Sequence, residues 1–419
     1  MNLRLLSFYL NRPVGQLKSR FLIGCLGLSF FVTSSCLAQD SLKRKRPEIQ
    51  RTDKPVMLTG ADQLSAYLPQ LKQKKVAVVA NPTSRIGNSH LVDTLIASGV
   101  KVVTVFAPEH GFRGEAEAGE DVAGGVDKKT GVKVVSLYGD HKEPSREDLS
   151  NVDVVLFDIQ DVGVRFYTYI STLQYVMESC ASYGVRLIVL DRPNPHANYV
   201  DGPVLQKEFT SFVGMQQIPV VYGMTIGEYA GMLNGEHWLK DSLKCDLLVI
   251  RLKNWKHTDD YLLPVPPSPN LPNIAAVRLY PSLCFFEGTE VSLGRGTDYP
   301  FQCYGFPDNA SGSFEFTPQS IPGKAKTPPL MGKICKGELL SREGETKRPA
   351  EIELKWLLKA YADFPDKSKF FNSFFNKLSG NSELREQISR GMSEEQIRTS
   401  WKSDLEAFRN VRAKYLLYP

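Results

Sequence analysis

From Lys75 to about Leu252 the chain alternates short β-branched apolar runs with segments of helical length. Residues 76–80, 102–106, 132–137, 152–157, 187–190 and 247–250 are predominantly apolar rather than alternating, which predicts strands covered on both faces. The segments between them predict helices over 61–71, 90–97, 171–183 and 225–233, and Thr225 followed by Glu228 has the spacing of a capping box. Strand runs alternating with helix-length segments are the sequence form of repeated βαβ units. The expected fold class is therefore α/β, with a mostly parallel sheet flanked by helices.

The pattern breaks near Leu263, where Pro264, Pro266, Pro267, Pro269 and Pro272 crowd together with Asn270 and Asn273. Each proline restricts the residue before it and removes a backbone donor, so the segment predicts a rigid extended crossing. It divides a sheet domain over 55–262 from a second unit over 263–419. Within that unit, residues 311–348 are rich in Lys, Pro and Gly and predict loop or short strands. Helical periodicity returns from Glu351, with Trp356, Leu357 and Tyr361 on one face. Phe370, Phe371, Phe374, Phe375, Trp401, Leu405 and Phe408 then supply an aromatic density expected of core packing.

The first residues follow neither pattern. Arg4, Arg12, Lys18 and Arg20 precede an apolar run over 21–32, then small residues, Cys36, Leu37 and Ala38. A positive start, a short apolar middle and a small-residue exit predict a secretion signal over 1–38, and the run is well short of the roughly 20 residues of a spanning helix. Cleavage after Ala38 would give a soluble exported protein, periplasmic in location. Cleavage before Cys36 would leave a cysteine for lipid attachment and membrane association. Thr33 stands where a lipoprotein signal carries leucine, which favours release.

Charge changes meaning once that segment is set aside. The whole chain has 51 basic and 46 acidic residues, but residues 1–38 hold four basic and no acidic side chains, leaving 47 against 46. No clustered basic face remains to suggest nucleic acid. Cys180, Cys245, Cys284, Cys303 and Cys335 lack any CxxC spacing, so neither a disulfide framework nor a zinc site is legible. No GxGxxG follows the first predicted strand and no GxxxxGK[ST] occurs, so no cofactor is expected.

Ligands of open parallel sheets sit beyond the carboxyl ends of the strands, so the residues after each run carry the search. The first run ends in Asn81 and the second in Pro108, Glu109, His110 and Gly111, then Arg113. The fourth ends in Asp158, Asp161, Arg165 and Tyr167, and the fifth in Asp191 and Asn194. A single acidic strand end is unremarkable because it caps the next helix; several at once point to one polar rim. Glu109 is the sharpest candidate, since Pro108 restricts the backbone before it and Gly111 permits a tight turn after His110. Without HxH or HExxH spacing, His110 fits an orienting partner of Glu109 better than a metal ligand. Past the prolines, Glu287 and Arg295 lie among glycines, and Arg295 between Gly294 and Gly296 suits recognition of a carboxylate or phosphate.

Together, residues 106–114, 157–169, 191–195, 223–228, 267–270 and 287–298, with the terminal Tyr415-Leu416-Leu417-Tyr418, resemble the bacterial exo-β-N-acetylmuramidases. The resemblance runs in order over nearly the whole chain after the signal. It implies a Rossmann-like domain, a smaller C-terminal α+β subdomain completing a cleft, and hydrolysis of terminal N-acetylmuramic acid from the non-reducing end of peptidoglycan-derived muropeptides or disaccharides. It also implies Glu109 as the leading catalytic carboxylate with His110 beside it; Asn81, Arg113, Asp158, Asp161, Arg165, Tyr167, Asp191, Asn194, Glu228, Glu287 and Arg295 are the expected substrate-binding residues. Tyr222 stands where the family often carries histidine, and Glu290 where asparagine is frequent. A lactyl carboxylate requires a cation, for which Arg113, Arg165 and Arg295 are candidates. The second catalytic group stays open among Asp158, Asp161, Glu228, Glu287 and the substrate's own acetamido group. Another cell-wall hydrolase, an esterase or amidase, and a non-catalytic muropeptide-binding protein are the competing readings; the lack of a GxSxG elbow counts against a serine hydrolase.

Overall fold

A computed structural model describes residues 55–114 and 124–419; the expected signal over 1–38, with Cys36, lies outside them. Seven strands build the main sheet: β1 (Lys75–Ala80), β2 (Lys101–Ala107), β3 (Gly125–Val126), β4 (Lys133–Ser136), β5 (Val154–Asp158), β6 (Arg186–Leu190) and β7 (Leu247–Ile250). Their spatial order is β7-β6-β5-β1-β2-β4-β3. Every neighbouring pair is parallel except the edge pair β3–β4.

All six predicted strands are present, displaced by a residue or two at their ends. Strand pleating explains why they read as predominantly apolar runs. On β1, Ala77 and Val79 enter one apolar cluster while Val76, Val78 and Ala80 enter another on the opposite face. Alternate residues thus serve two cores, and neither face is left for polar side chains.

The principal helices are α1 (Leu64–Leu71), α2 (Leu91–Ala97), α3 (Tyr169–Tyr183), α4 (Ile226–Gly235), α5 (Ile274–Leu283), α6 (Lys355–Asp363) and α7 (Glu394–Arg412). The capping box at the start of α4 forms as the spacing predicts: Glu228 N–H donates to Thr225 Oγ1 (3.2 Å) and Thr225 N–H to the Glu228 carboxylate (2.9 Å). Helix α5 follows the proline run directly and was not foreseen. Asn273 caps it by accepting from the Ala276 N–H, and Pro281 sits in its last turn.

A small antiparallel sheet, β8 (Cys303–Phe306), β9 (Phe314–Phe316) and β10 (Cys335–Leu339), is ordered β8-β10-β9. Two of these strands fall in the stretch expected to hold loop or short strands. The later aromatics do pack as core: Phe370, Phe375, Trp401, Leu405 and Phe408 are buried, and the Phe371 and Phe375 rings lie 4.4 Å apart. A two-stranded ribbon, Asp201–Val204 with Pro219–Val221, is a further addition to the predicted plan.

Candidate active site

Beyond the end of β2 the chain makes a turn in which the Gly111 N–H donates to the Pro108 carbonyl at 3.0 Å. His110 has φ +72° and Gly111 φ +77°. Glycine adopts such angles freely, but a histidine there costs on the order of 1–3 kcal/mol, a price met by the surrounding structure. The turn fixes Glu109, whose carboxylate accepts from Thr168 Oγ1 at 3.4 Å and whose carbonyl faces the Tyr169 hydroxyl at 3.4 Å. Thr168 is the residue that leads into α3.

Glu109 and His110 open into a pocket of about 220 Å³. Phe166, Tyr167, Tyr169, Ser268, Asn270, Leu271, Tyr280 and Phe301 are buried and form its floor, while Glu109, Tyr138, Thr168, Phe212, Val213, Glu287 and Arg295 are half-exposed and form its rim. The floor aromatics lock edge to face: Tyr167 to Tyr169 at 4.9 Å, Phe166 to Tyr280 at 5.4 Å and Tyr280 to Phe301 at 5.0 Å. Burial holds the Tyr167, Tyr169 and Tyr280 hydroxyls well above their ordinary pKa, so they stay neutral. Tyr167 donates to the Pro267 carbonyl at 2.7 Å, fastening the proline run to the sheet side of the pocket. Asn270 donates from Nδ2 to the Lys324 carbonyl at 2.9 Å, while its buried Oδ1 meets no donor among the described residues. An orphaned buried acceptor in a pocket wall is a place for a ligand's hydroxyl or amide hydrogen.

Across the pocket Arg295 donates from Nη2 and Nε to Glu287 Oε1, at 2.6 and 2.9 Å. Its guanidinium lies 4.8 Å from the centre of the Phe301 ring. Burial disfavours the arginine charge, but Glu287 more than offsets this and raises its pKa. Nη1 meets no acceptor among the described residues.

The structure thus brings Glu109, His110, Tyr167, Glu287 and Arg295 to one pocket and places the other expected residues elsewhere. Arg113 is pinned between Asp127 (2.8 Å) and Asp93 (2.9 Å). Arg165 is fully buried and donates to four carbonyls, those of Pro203, Ile218, Leu378 and Ser379, at 2.7–2.9 Å. Asp158 forms a buried bidentate pair with Arg192, at 2.6 and 2.8 Å. Asn81 Oδ1 accepts from the Thr83 N–H at 2.9 Å, and Thr83 Oγ1 in turn accepts from the Gln160 N–H at 3.0 Å. These contacts fill the crevice between β1 and β5, the position where a doubly wound sheet reverses direction and ligands commonly bind.

Asp161 accepts from the Gly163 N–H (2.6 Å) and the Tyr222 hydroxyl, and burial pushes its carboxyl up to about 6. Tyr222 therefore packs against an acid behind the pocket floor. Asn194 joins two turns, donating to the Met224 carbonyl (2.8 Å) and accepting from the His196 N–H (2.7 Å). Asp191 accepts from the Gly227 N–H and Thr225 Oγ1, both at 2.8 Å, and from the Tyr418 hydroxyl; burial pushes it up to about 7. Glu228 pairs with His257 at 2.9 Å and accepts from the Leu417 N–H at 2.8 Å. Glu290 is exposed.

The pocket residues that sequence reasoning missed are mainly the aromatics. Phe166, Thr168 and Tyr169 adjoin residues singled out after the fourth run, and Ser268 and Asn270 lie within the proline-rich crossing. Nothing in the local sequence announces Tyr138, Phe212 or Phe301.

The family model described as exo-beta-N-acetylmuramidase NamZ, N-terminal, matches residues 76–275, and its C-terminal counterpart matches residues 278–418. The peptidoglycan beta-N-acetylmuramidase NamZ of Bacillus subtilis (strain 168) is 40% identical over 414 residues, 94% of this chain and 98% of that protein. Two crystal structures of DUF1343 family proteins from Bacteroides fragilis NCTC 9343 share the fold. One has a TM-score of 0.80 at 46% identity and the other 0.75 at 30%; each alignment covers 87% of this chain and 99% of the other. The chain belongs to the exo-β-N-acetylmuramidase NamZ family.

Proposed function

We propose that the chain is a glycoside hydrolase that releases terminal N-acetylmuramic acid from the non-reducing end of peptidoglycan fragments. The observation that carries the reading is one pocket with Glu109 and Arg295 on its rim and a floor of buried aromatics. At about 220 Å³ it falls below the ~300 Å³ at which ordinary ligand clefts begin, room for one sugar rather than a strand. A pocket of that size suits removal of an end unit. Glu109 is the proton donor to the glycosidic oxygen, and His110 orients it or the sugar. Asn270 Oδ1 accepts from a sugar hydroxyl or the acetamido N–H. Of the three arginine candidates only Arg295 reaches the pocket, and it meets the lactyl carboxylate.

Among the acidic candidates for a second catalytic group, Asp158, Asp161 and Glu228 are buried in contacts of their own. Glu287 lines the pocket but is engaged with Arg295. The substrate's acetamido oxygen is then the group left to meet the anomeric carbon.

Residues 1–38 act in this reading as an export signal that places the enzyme in the periplasm, with Cys36 the lipid site in the alternative processing. The mass of the mature N-terminus separates the two.

The test uses chromogenic β-glycosides of N-acetylmuramic acid and of N-acetylglucosamine, with wild type and Glu109→Gln. Release from the muramic glycoside alone, lost in the variant, is expected. Release from neither by the wild type would overturn the reading.

A further inference from the structure

A pocket that closes around one sugar leaves the rest of its substrate outside, against the rim. Beside Glu109, one stripe running from the N-cap of α3 into its first turns backs part of the rim. Thr168, Ser171 and Tyr175 are spaced i, i+3 and i+7, so they lie along one face of the helix. The first donates to the Glu109 carboxylate (3.4 Å), the second donates from Oγ to the Phe212 carbonyl (2.7 Å), and the third stacks on the Phe212 ring at 6.1 Å and 14°. At about 1.5 Å of rise per residue, Ser171 and Tyr175 lie roughly 5–10 Å along the helix from Thr168. Phe212 is therefore held from backbone and ring alike, on the same pocket rim as Glu109. Lys142 brings its ammonium 5.6 Å from the centre of the same ring.

Phe212 is half-exposed and lines the pocket rim, so an oriented aromatic ring stands beside the site. The apolar C–H face of a pyranose matches such a ring, and an adjacent ammonium can donate to a hydroxyl or amide oxygen of the sugar.

We infer that Phe212, steered by Tyr175 and Ser171 and flanked by Lys142, is the subsite for the leaving saccharide, the uncharged N-acetylhexosamine on the far side of the bond that Glu109 cleaves. This rests on the hydrolase reading above. It separates two tasks along one helix stripe: Thr168 touches the acid, while Ser171 and Tyr175 set the platform.

The experiment compares kcat/KM for a muramic acid–N-acetylglucosamine disaccharide with that for methyl β-N-acetylmuraminide, whose leaving group is too small to reach the platform. In Phe212→Ala the disaccharide-to-methyl ratio is expected to fall about tenfold or more, and in Phe212→Trp, which keeps a ring, to stay within about threefold of wild type. Inhibition by free N-acetylglucosamine should weaken in parallel in Phe212→Ala. An unchanged ratio in Phe212→Ala, or an equal loss on both substrates, would overturn the proposal. Should the alanine variant fail to fold, Lys142→Ala, which removes the half-buried cationic partner of the ring, is expected to lower the same ratio; no change there would count against the subsite. Wild-type failure on both substrates would instead defeat the hydrolase reading, so the two ideas fall to different results.

Discussion

Replacing Arg295 with glutamine should make the enzyme lose its preference for a charged sugar. Among the described residues Arg295 is the one arginine that lines the pocket, and its Nε and Nη2 hydrogen bonds converge on a single oxygen of Glu287. The guanidinium therefore has donor capacity left for a second carboxylate. A hydrogen bond between charged partners contributes about 1.5–3 kcal/mol, and the side chain is 22% exposed, so one such bond to substrate is the reasonable size of the loss. That corresponds to roughly a ten- to hundredfold fall in kcat/KM on a muramic acid glycoside. Glu287 drives the result toward the upper end, because without its partner it faces the incoming lactyl carboxylate as an uncompensated like charge. Removing that charge as well, in Arg295→Gln/Glu287→Gln, should recover part of the loss, and the four enzymes form a cycle that measures the coupling. The readout is kcat/KM on paired β-glycosides of N-acetylmuramic acid and N-acetylglucosamine, the second lacking the lactyl group. The muramic substrate should lose the full factor and the other little. Equal losses on both sugars would show that Arg295 shapes the pocket without reading the carboxylate, and no loss on the muramic sugar would refute the assignment outright.

Two further outcomes test the framework around the site. Burial pushes the Asp191 carboxyl from 3.8 up to about 7, and an acid held above its unfolded value favours the fold most when protonated; its contribution is full below about pH 4 and is lost as pH rises through 7. About three pH units at ~1.4 kcal/mol each set a ceiling near 4 kcal/mol, so Asp191→Asn should flatten the fall in urea midpoint between pH 5 and pH 8, and a fall identical to wild type would contradict the argument. Arg165→Met leaves the carbonyls of Pro203, Ile218, Leu378 and Ser379 without their donor. It should cost about 3–5 kcal/mol in denaturant unfolding; a loss below 1 kcal/mol would mean that those carbonyls find other partners.

The sheet was legible because its physics is local. A strand covered on both faces is apolar at most positions, and the shortness and β-branched content of the six runs favour strand over helix. The site was legible only where the backbone itself is unusual. Pro108 and Gly111 around Glu109, and Gly294 and Gly296 around Arg295, mark turns that present one side chain, and both residues reach the pocket. The other strand-end residues looked equivalent in the sequence and are not. Carboxylates and amides at the ends of parallel strands also answer the unpaired N–H groups of the loops that follow, as Asp191 does for Gly227 and Asn81 for Thr83. Spacing cannot tell a side chain that turns back to its own loop from one that turns out to a ligand. Arg165 is the sharpest instance: an arginine in a glycine- and aromatic-rich run, read as a cation for a substrate, instead joins the 199–221 region to the Leu378–Ser379 backbone.

The floor of the pocket shows a second way in which function was hidden. The proline-rich crossing reads as a linker, and its rigidity suggests a spacer between units. In the fold it lines the pocket: Tyr167 donates to the Pro267 carbonyl, and Ser268, Asn270 and Leu271 are buried lining residues. Proline makes a good wall for the reason that it makes a poor helix, since its φ is fixed before folding and little further entropy is lost in holding the segment still. An enzyme that cuts within chains needs an open groove, whereas one that takes end units needs a stop. On this argument the prolines set where the substrate must end and Glu109 sets which bond is broken, so loosening the crossing should affect the choice of end unit before it affects the chemistry.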